Sequence, residues 1–130
     1  MSNKTRVTAK DVMTQNYVKM DGMKTIQDAI KVMKDNNTDV IIVNKRDQHD
    51  AYGILLLSDI AKQVLAKNRA PERINIYEVM SKPVMSLPAE MNIKYCARLF
   101  EQFGLSTAPI IENEEILGLV GYKELVLHDC

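Results

Sequence analysis

The chain writes one phrase twice. Asp11-Val12-Met13-Thr14, inside "KDVMTQNYV", returns as Glu78-Val79-Met80-Ser81 inside "YEVMSKPVM", so a shift from position 11 to position 78 carries one onto the other. Four residues alone prove little, and the test is whether the register holds downstream. It holds. Ile26, Ala29, Ile30 and Met33 are spaced i, i+3, i+4, i+7, one face of a helix, and the same shift lands on Ile93, Cys96, Ala97 and Phe100. Both stripes are therefore predicted to be buried. A residue suited to capping precedes each stripe, Thr25 in the first copy and Asn92 in the second, and Thr25 with Asp28 has capping-box spacing. The register then slips by one, setting "TDVIIV" (38–43) against "STAPII" (106–111). A polar loop follows, longer in the first copy ("NKRDQHDA"), and "GILLLSDI" (53–60) meets "GLVGYKEL" (118–125). Helix, strand, loop and glycine-led strand recur in order, which is the signature of an internal duplication.

Each copy reads as short strand, helix, strand, strand, helix. In the first, "YVKM" (17–20) is a strand and residues 25–36 a helix. "VIIV" is an apolar run too short for a helix and becomes a buried strand. "YGILLL" returns antiparallel, and "SDIAKQVLAK" opens a helix capped by Ser58 or Asp59. A right-handed strand–helix–strand crossover would set both helices on one sheet face. "KNRAPERIN" (67–75) reads as a linker, giving repeats at 8–66 and 76–128. Pro109, lacking an N–H, is expected at a strand edge or at the start of a ladder. A copy of roughly 65 residues could bury only a modest core alone, so two copies packed together are the expected folding unit.

Composition excludes several classes. The longest apolar run, "ILLL" at 54–57, is far short of the ~20 residues that span a bilayer, so no membrane insertion is expected. "MSNKTRVTAK" has no apolar leader core, and two cysteines, Cys96 on the helix stripe and Cys130 at the end, do not make a disulfide framework; a cytoplasmic setting is expected. With 17 basic and 17 acidic residues the formal charge is zero, and only two Phe, five Tyr and no Trp offer stacking surface. Nucleic acid is not an expected partner. Lys62, Lys67, Arg69 and Arg73 form a small basic cluster that reads as a solvated helix end and linker. His49 and His128 have no companion at metal spacing, Cys96 reads as a buried thiol, and neither a phosphate loop nor a nucleophile elbow is present. No metal site, no required cofactor and no enzymatic activity are expected.

The doubled phrase, "GLSTAPII" (104–111) and the glycine-led strands ending in "SDI" and "KEL" together resemble a tandem pair of cystathionine-β-synthase (CBS) domains, a Bateman module, over residues 8–128. The resemblance implies an α/β (α+β) fold of two β-α-β-β-α repeats packed through their sheets about a pseudo-twofold axis. It also implies clefts between the repeats that take an adenosine-containing ligand, such as AMP, ADP, ATP or S-adenosylmethionine. Pairing of modules through their helices into a homodimer is likewise implied, with Ile60, Val64, Leu125 and Val126 as surface candidates.

The family's ligand signature is glycine, two hydrophobic residues, Thr or Ser, two residues, then Asp. An aspartate can accept both hydroxyls of a ribose diol, while a hydroxyl beside a helix start suits phosphate. The first copy reads Gly53-Ile54-Leu55-Leu56-Leu57-Ser58-Asp59, keeping the acid but placing Leu56 at the hydroxyl position. The second reads Gly118-Leu119-Val120-Gly121-Tyr122-Lys123-Glu124, with Gly121 for the hydroxyl and Glu124 for the acid. Base-contacting positions carry over to Thr14 and Tyr17 with Asn37 and Thr38 in the first copy, and to Ser81 and Val84 with Leu105 and Ser106 in the second. Lys123 could meet a phosphate or simply face solvent. Asp59 serves equally as a helix cap, Glu124 as a solvated first-turn acid, and Thr14 and Ser81 as turn residues. Two functions stay open: a ligand sensor acting in trans on an unknown protein effector, or an assembly module whose ligand signature has decayed.

Overall fold

The computed structural model describes residues 6–128; the first five residues, part of the stretch read for a leader, and Cys130 lie outside them. In chain order the elements are α1 (Ala9–Val12), β1 (Val18–Met20), α2 (Ile26–Asn36), β2 (Val40–Val43), β3 (Gly53–Leu56), α3 (Leu57–Ile60), α4 (Ile93–Phe103), β4 (Thr107–Glu112), β5 (Glu115–Gly121) and α5 (Tyr122–Val126). After α3 the chain continues in a π-helical turn over Ala61–Leu65, and 3-10 turns cover Pro71–Arg73 and Ile76–Glu78. The contacts fall into two units. One is Tyr17–Val84; the other joins the described residues up to Asn16 with those from Met85 on.

Each copy thus lends its opening phrase to the other copy's unit, and the duplication shows in how the two loans are made. In the first unit (Tyr17–Val84) Ser81 exchanges two backbone hydrogen bonds with Ile54, both 2.9 Å. In the second, Thr14 exchanges two with Leu119, at 2.8 and 2.9 Å. Thr25 bridges Asn75 in the first unit and Thr8 bridges Asn92 in the second, each pair being the other's image under the sequence repeat. The glycine that leads each signature strand has a steric reason. A Cβ on Gly53 would come within 2.8 Å of the Met80 sulfur, and one on Gly118 within 2.7 Å of the Met13 sulfur. Val-Met in the repeated phrase and Gly at the strand start are two halves of one fit.

In the first unit β1 pairs parallel with β2, and β2 antiparallel with β3, giving the order β1-β2-β3. The Thr25 hydroxyl accepts the Asp28 N–H (3.1 Å) and the Asp28 carboxylate accepts the Thr25 N–H (3.2 Å), so the expected capping box starts α2. Ile26, Ala29 and Met33 of α2 pack with Ile41, Val43 and Leu55 of the sheet, and Ile30 joins them half-buried. The stretch read as a linker does more than connect: Ile74 is buried in this core, and its carbonyl accepts the Ile26 N–H at 2.8 Å.

The second unit pairs β4 with β5 antiparallel, around a core of Ala9, Leu87, Cys96, Phe100, Ile110, Val120 and Leu125. Here the first strand of the repeat shrinks to one parallel bridge between Leu87 and Ile110. Pro109 explains the loss. It stands where the first unit has Ile42, since Ile42 pairs with Ile54 and Pro109 with the equivalent Leu119. The one-residue slip read from sequence is absent from the strand, and Pro109 has no N–H to donate. The stripe on α4 also departs from expectation: Ala97 is exposed, while half-buried Leu99 packs in, as its counterpart Val32 does in the first unit.

Two further expectations are corrected. Neither Ser58 nor Asp59 is the N-cap of α3; that position is Leu56, because the helix begins one residue earlier, at Leu57. Ile60, Val64 and Leu125 are not surface residues, since they complete their own units' cores, whereas Val126 is 70% exposed.

Candidate functional site

The strand directions gather five of the candidate residues at one end of the three-stranded sheet. Tyr17 precedes β1, Asn37 and Thr38 precede β2, and Ser58 and Asp59 follow β3, while the pairing Val40↔Leu56 brings the last two groups side by side. Asp59 sits at the third position of α3, and its Oδ2 accepts the Leu56 N–H at 3.0 Å. A carboxylate offers about four lone-pair sites, so one bond to the helix start does not exhaust it. Ser58 next to it is exposed. Asn37 holds its place for a backbone reason: it ends α2 in the left-handed conformation, φ 50°, which Asn tolerates better than most residues. The Thr38 hydroxyl accepts the Val40 N–H at 3.3 Å and so turns the chain into β2. Burial, aided by Tyr52, pushes the Tyr17 phenol above its ordinary value, so it stays a neutral donor at physiological pH.

In the second unit the equivalent acid makes the same contact. Glu124 accepts the Gly121 N–H through Oε1 at 2.8 Å, the extra methylene being absorbed without losing the cap. A Cβ on Gly121 would lie 3.1 Å from that oxygen, so the backbone approach favours glycine where the family signature has a hydroxyl. The Tyr122 hydroxyl donates to the Leu105 carbonyl at 2.8 Å, and its ring meets Phe100 edge-on, centroids 5.6 Å apart. That carbonyl belongs to a residue the resemblance assigns to base contact, and here an internal donor already holds it. Ser106 and Lys123 are exposed.

The grouping by copy is the part the structure changes. Thr14 does not join Tyr17, Asn37 and Thr38; it lies in the second unit against Leu119, where its hydroxyl also accepts the Asn16 N–H at 3.1 Å as a turn residue does. Ser81 and Val84 do not join Leu105 and Ser106; they edge β3 of the first unit, Val84 donating to the Tyr52 carbonyl at 3.0 Å. The reason is the loan of the opening phrases, which sequence equivalence alone does not reveal. The Met–Gly fit was legible in principle, since both motifs were on view. What the sequence could not show is that each methionine serves the other copy's glycine.

Comparison with known proteins agrees with this architecture. The CBS domain family profile matches residues 9–66 and 76–129, and the chain belongs to that family as a tandem pair of CBS domains. Among curated relatives, a homoserine O-acetyltransferase of Methanosalsum zhilinae is 30% identical over 92% of this chain but only 23% of its own length. The CBS domain-containing protein YhcV of Bacillus subtilis is 28% identical over 93% of this chain and 84% of its own. Among solved structures, a hexameric CBS-CP12 protein from bloom-forming cyanobacteria superposes with TM-score 0.91 at 34% identity, over 95% of this chain and 68% of that one. The CBS domain pair of protein MJ0100, solved with 5′-methylthioadenosine and S-adenosyl-L-methionine, superposes with TM-score 0.79 at 21% identity, over 94% of this chain and 98% of that one. Among the described residues no helix is long and apolar enough to cross a membrane.

Proposed function

We propose that this CBS pair is a regulatory, non-enzymatic module that binds an adenosine-containing ligand at the Asp59 end of its first unit and passes its ligand state to a protein partner. The observation that carries the reading is the gathering of Tyr17, Thr38, Ser58 and Asp59 at one sheet end, with the Asp59 carboxylate fixed by the Leu56 amide. A fixed carboxylate can take a ribose diol without first losing side-chain freedom, which is the advantage of a preorganised site. The ligands of the MJ0100 pair, both adenosine compounds, supply the class. The ligand acts as a signal only if it binds one arrangement of the protein better than another.

A thermal-shift panel of AMP, ADP, ATP, S-adenosylmethionine and NAD tests the reading. A ligand present at a hundred times its dissociation constant adds about 2.7 kcal/mol of stability. The expected result is a clear rise in Tm for at least one member. No rise for any member at millimolar concentration contradicts the proposal and leaves the assembly reading. That second reading has its own support: Leu57 and Leu65 of the first unit and Val126 and Leu127 of the second are exposed apolar residues on or beside the last helix of each repeat, the helices through which pairing was expected.

A further inference from the structure

The longer loop of the first copy builds something the second copy lacks. Residues 44–52 join β2 to β3 at the end of the sheet opposite Asp59, and the loop is organised around one carboxylate. Asp50 accepts the Arg46 backbone N–H at 2.8 Å and the Arg46 Nε–H at 3.3 Å, and it pairs with the Lys82 ammonium. Its side chain is only 10% exposed, while that of Arg46 remains 78% exposed. Beside this cluster lie two adjoining clefts of about 540 and 260 Å³ that share Asp21, Met23, Asn44 and Arg46. The smaller has an apolar floor of Gly22, Val43 and Met80, and the cations Arg46 and Lys82 on its rim. Two large apolar side chains, Met23 at 65% exposure and Tyr77 at 50%, flank its mouth.

The second unit is the internal control. Its β4–β5 connection is a tight turn through Asn113 and Glu114, both at positive φ, and no loop of this kind exists there. The repeat places Pro88, Ala89 and Glu90 where the first copy has Asp21, Gly22 and Met23, and the strand pairing sets Ile111 after Ile110 as Asn44 follows Val43. Gln15 stands for Lys82. The same corner carries apolar side chains, the cations Arg46 and Lys82 and the acid Asp21 in one copy, and small residues with Glu90 and Gln15 in the other.

We propose that the loop-end cleft of the first unit binds a small organic anion with a flat apolar body: the body lies on Val43 and Met80 between Met23 and Tyr77, and the anionic group meets Arg46 and Lys82. The chemistry follows from the parts. A guanidinium has five donors and matches carboxylate or phosphate geometry, and Asp50 spends its Nε–H while holding the side chain's base in place. Methionine and tyrosine make adaptable, low-entropy-cost walls for a planar group. Apolar surface with a few placed polar groups is how small-molecule sites are generally built. This site is separate from the Asp59 end and stands or falls independently of the adenosine reading.

The test is a titration of the ¹⁵N-labelled full chain with phenyl phosphate, followed by amide shifts, with inorganic phosphate and benzyl alcohol as arms that carry one half of the ligand each. The expected result is saturable movement of the Gly22, Asn44 and Arg46 amides with phenyl phosphate, with each half-ligand at least about tenfold weaker. Lys82→Gln and Arg46→Gln should each weaken phenyl phosphate by about ten- to hundredfold, the range for a hydrogen bond to a charged group. Met23→Ala, which leaves the Asp50 cluster intact, should weaken phenyl phosphate but not inorganic phosphate; this variant covers the case in which the loop is disturbed. Binding no tighter than inorganic phosphate, equal movement of the amides of residues 89–90 and 111–115, or unchanged affinity in all three variants would overturn the proposal.

Discussion

The two units carry the same plan, and where they differ the cause can be traced to single residues. Asn37 ends α2 and Gly104 ends α4, at equivalent positions with φ 50° and 65°, so one left-handed cap is met by two residue types. Asp59 and Glu124 both reach back to the amide three residues before them. Divergence begins with Pro109, which has no N–H where the first unit has Ile42, and the second unit is left with a two-stranded sheet. It continues with the loop of residues 44–52, which has only a two-residue turn as its counterpart. The comparison teaches that backbone roles survive duplication with different side chains, while one proline and one longer loop are enough to set the two copies apart.

The largest expected effect lies in the cores. Phe100 and Met33 are equivalent positions, both buried, but Phe100 also meets Tyr122 edge-on. Phe100→Ala should cost ~3–5 kcal/mol, at or above the cost of Met33→Ala, because it removes more volume and an aromatic pair as well. Urea denaturation of the two variants checks this. A clearly larger loss for Met33→Ala would mean that the first unit, not the second, depends more on its central side chain.

Next in size is the Met–Gly fit. At Gly118 an added Cβ meets the Met13 sulfur, Cγ and Cβ at 2.7, 2.9 and 3.1 Å, so the whole side chain must move. At Gly53 the closest contact is the Met80 sulfur at 2.8 Å, the far end of a flexible chain, followed by the Ser81 carbonyl at 3.3 Å. Gly118→Ala should therefore destabilise by ~1–3 kcal/mol, the range for overpacking, and Gly53→Ala by less. Pairing each with its own methionine, as Met13→Ala with Gly118→Ala, should recover part of the loss. Additive costs would show that the exchanged phrase does not seat on the glycine.

The smallest effect concerns pH. The Lys82 ammonium, and then the Arg46 backbone N–H, hold the Asp50 carboxyl well below the usual carboxylate range. A depressed folded value gives stability that is fully present above the unfolded value, ~3.9, and is lost as pH falls towards the folded value. The second unit has no counterpart of this loop. Protection factors of the amides over residues 44–52, which correct for the pH dependence of intrinsic exchange, should therefore hold at pH 5–7 and fall only in stronger acid, and Asp50→Asn should flatten that dependence. Exchange that is insensitive to the substitution would remove Asp50 as the organiser of the loop.

Much of this was legible in the sequence. Periodicity placed α2 and α4, and the short apolar run of residues 40–43 placed β2, because burial on one face or on both leaves a period that can be read. The misses have one physical origin each. Ala97 lies at the stripe's edge, where its counterpart Ile30 is only half-buried, and spacing cannot report that a side chain as short as alanine's stays exposed there. Ile60, Val64 and Leu125 were assigned to an outer surface because an apolar residue carries no mark of which core it enters. The pairing of Thr14 with Leu119 and of Ser81 with Ile54 was hidden because both copies write the same phrase, and nothing local says which sheet receives it. The cleft beside Arg46 was hidden because its cations come from residues far apart in the chain, Arg46 and Lys82, joined by Asp50.

The central claim is that the first unit is the ligand-binding one. Calorimetric titration of Asp59→Asn and Glu124→Gln, using the adenosine ligand with the largest thermal shift, tests it most directly. Asparagine keeps an oxygen for the Leu56 amide, so the fold should hold, which a parallel Tm measurement verifies. What it removes is a charged acceptor for the ribose diol, at a cost of about 1.5–3 kcal/mol, or a ten- to hundredfold loss of affinity. Glu124→Gln should change affinity much less. Full binding by Asp59→Asn together with abolished binding by Glu124→Gln would contradict the account and move the site to the second unit.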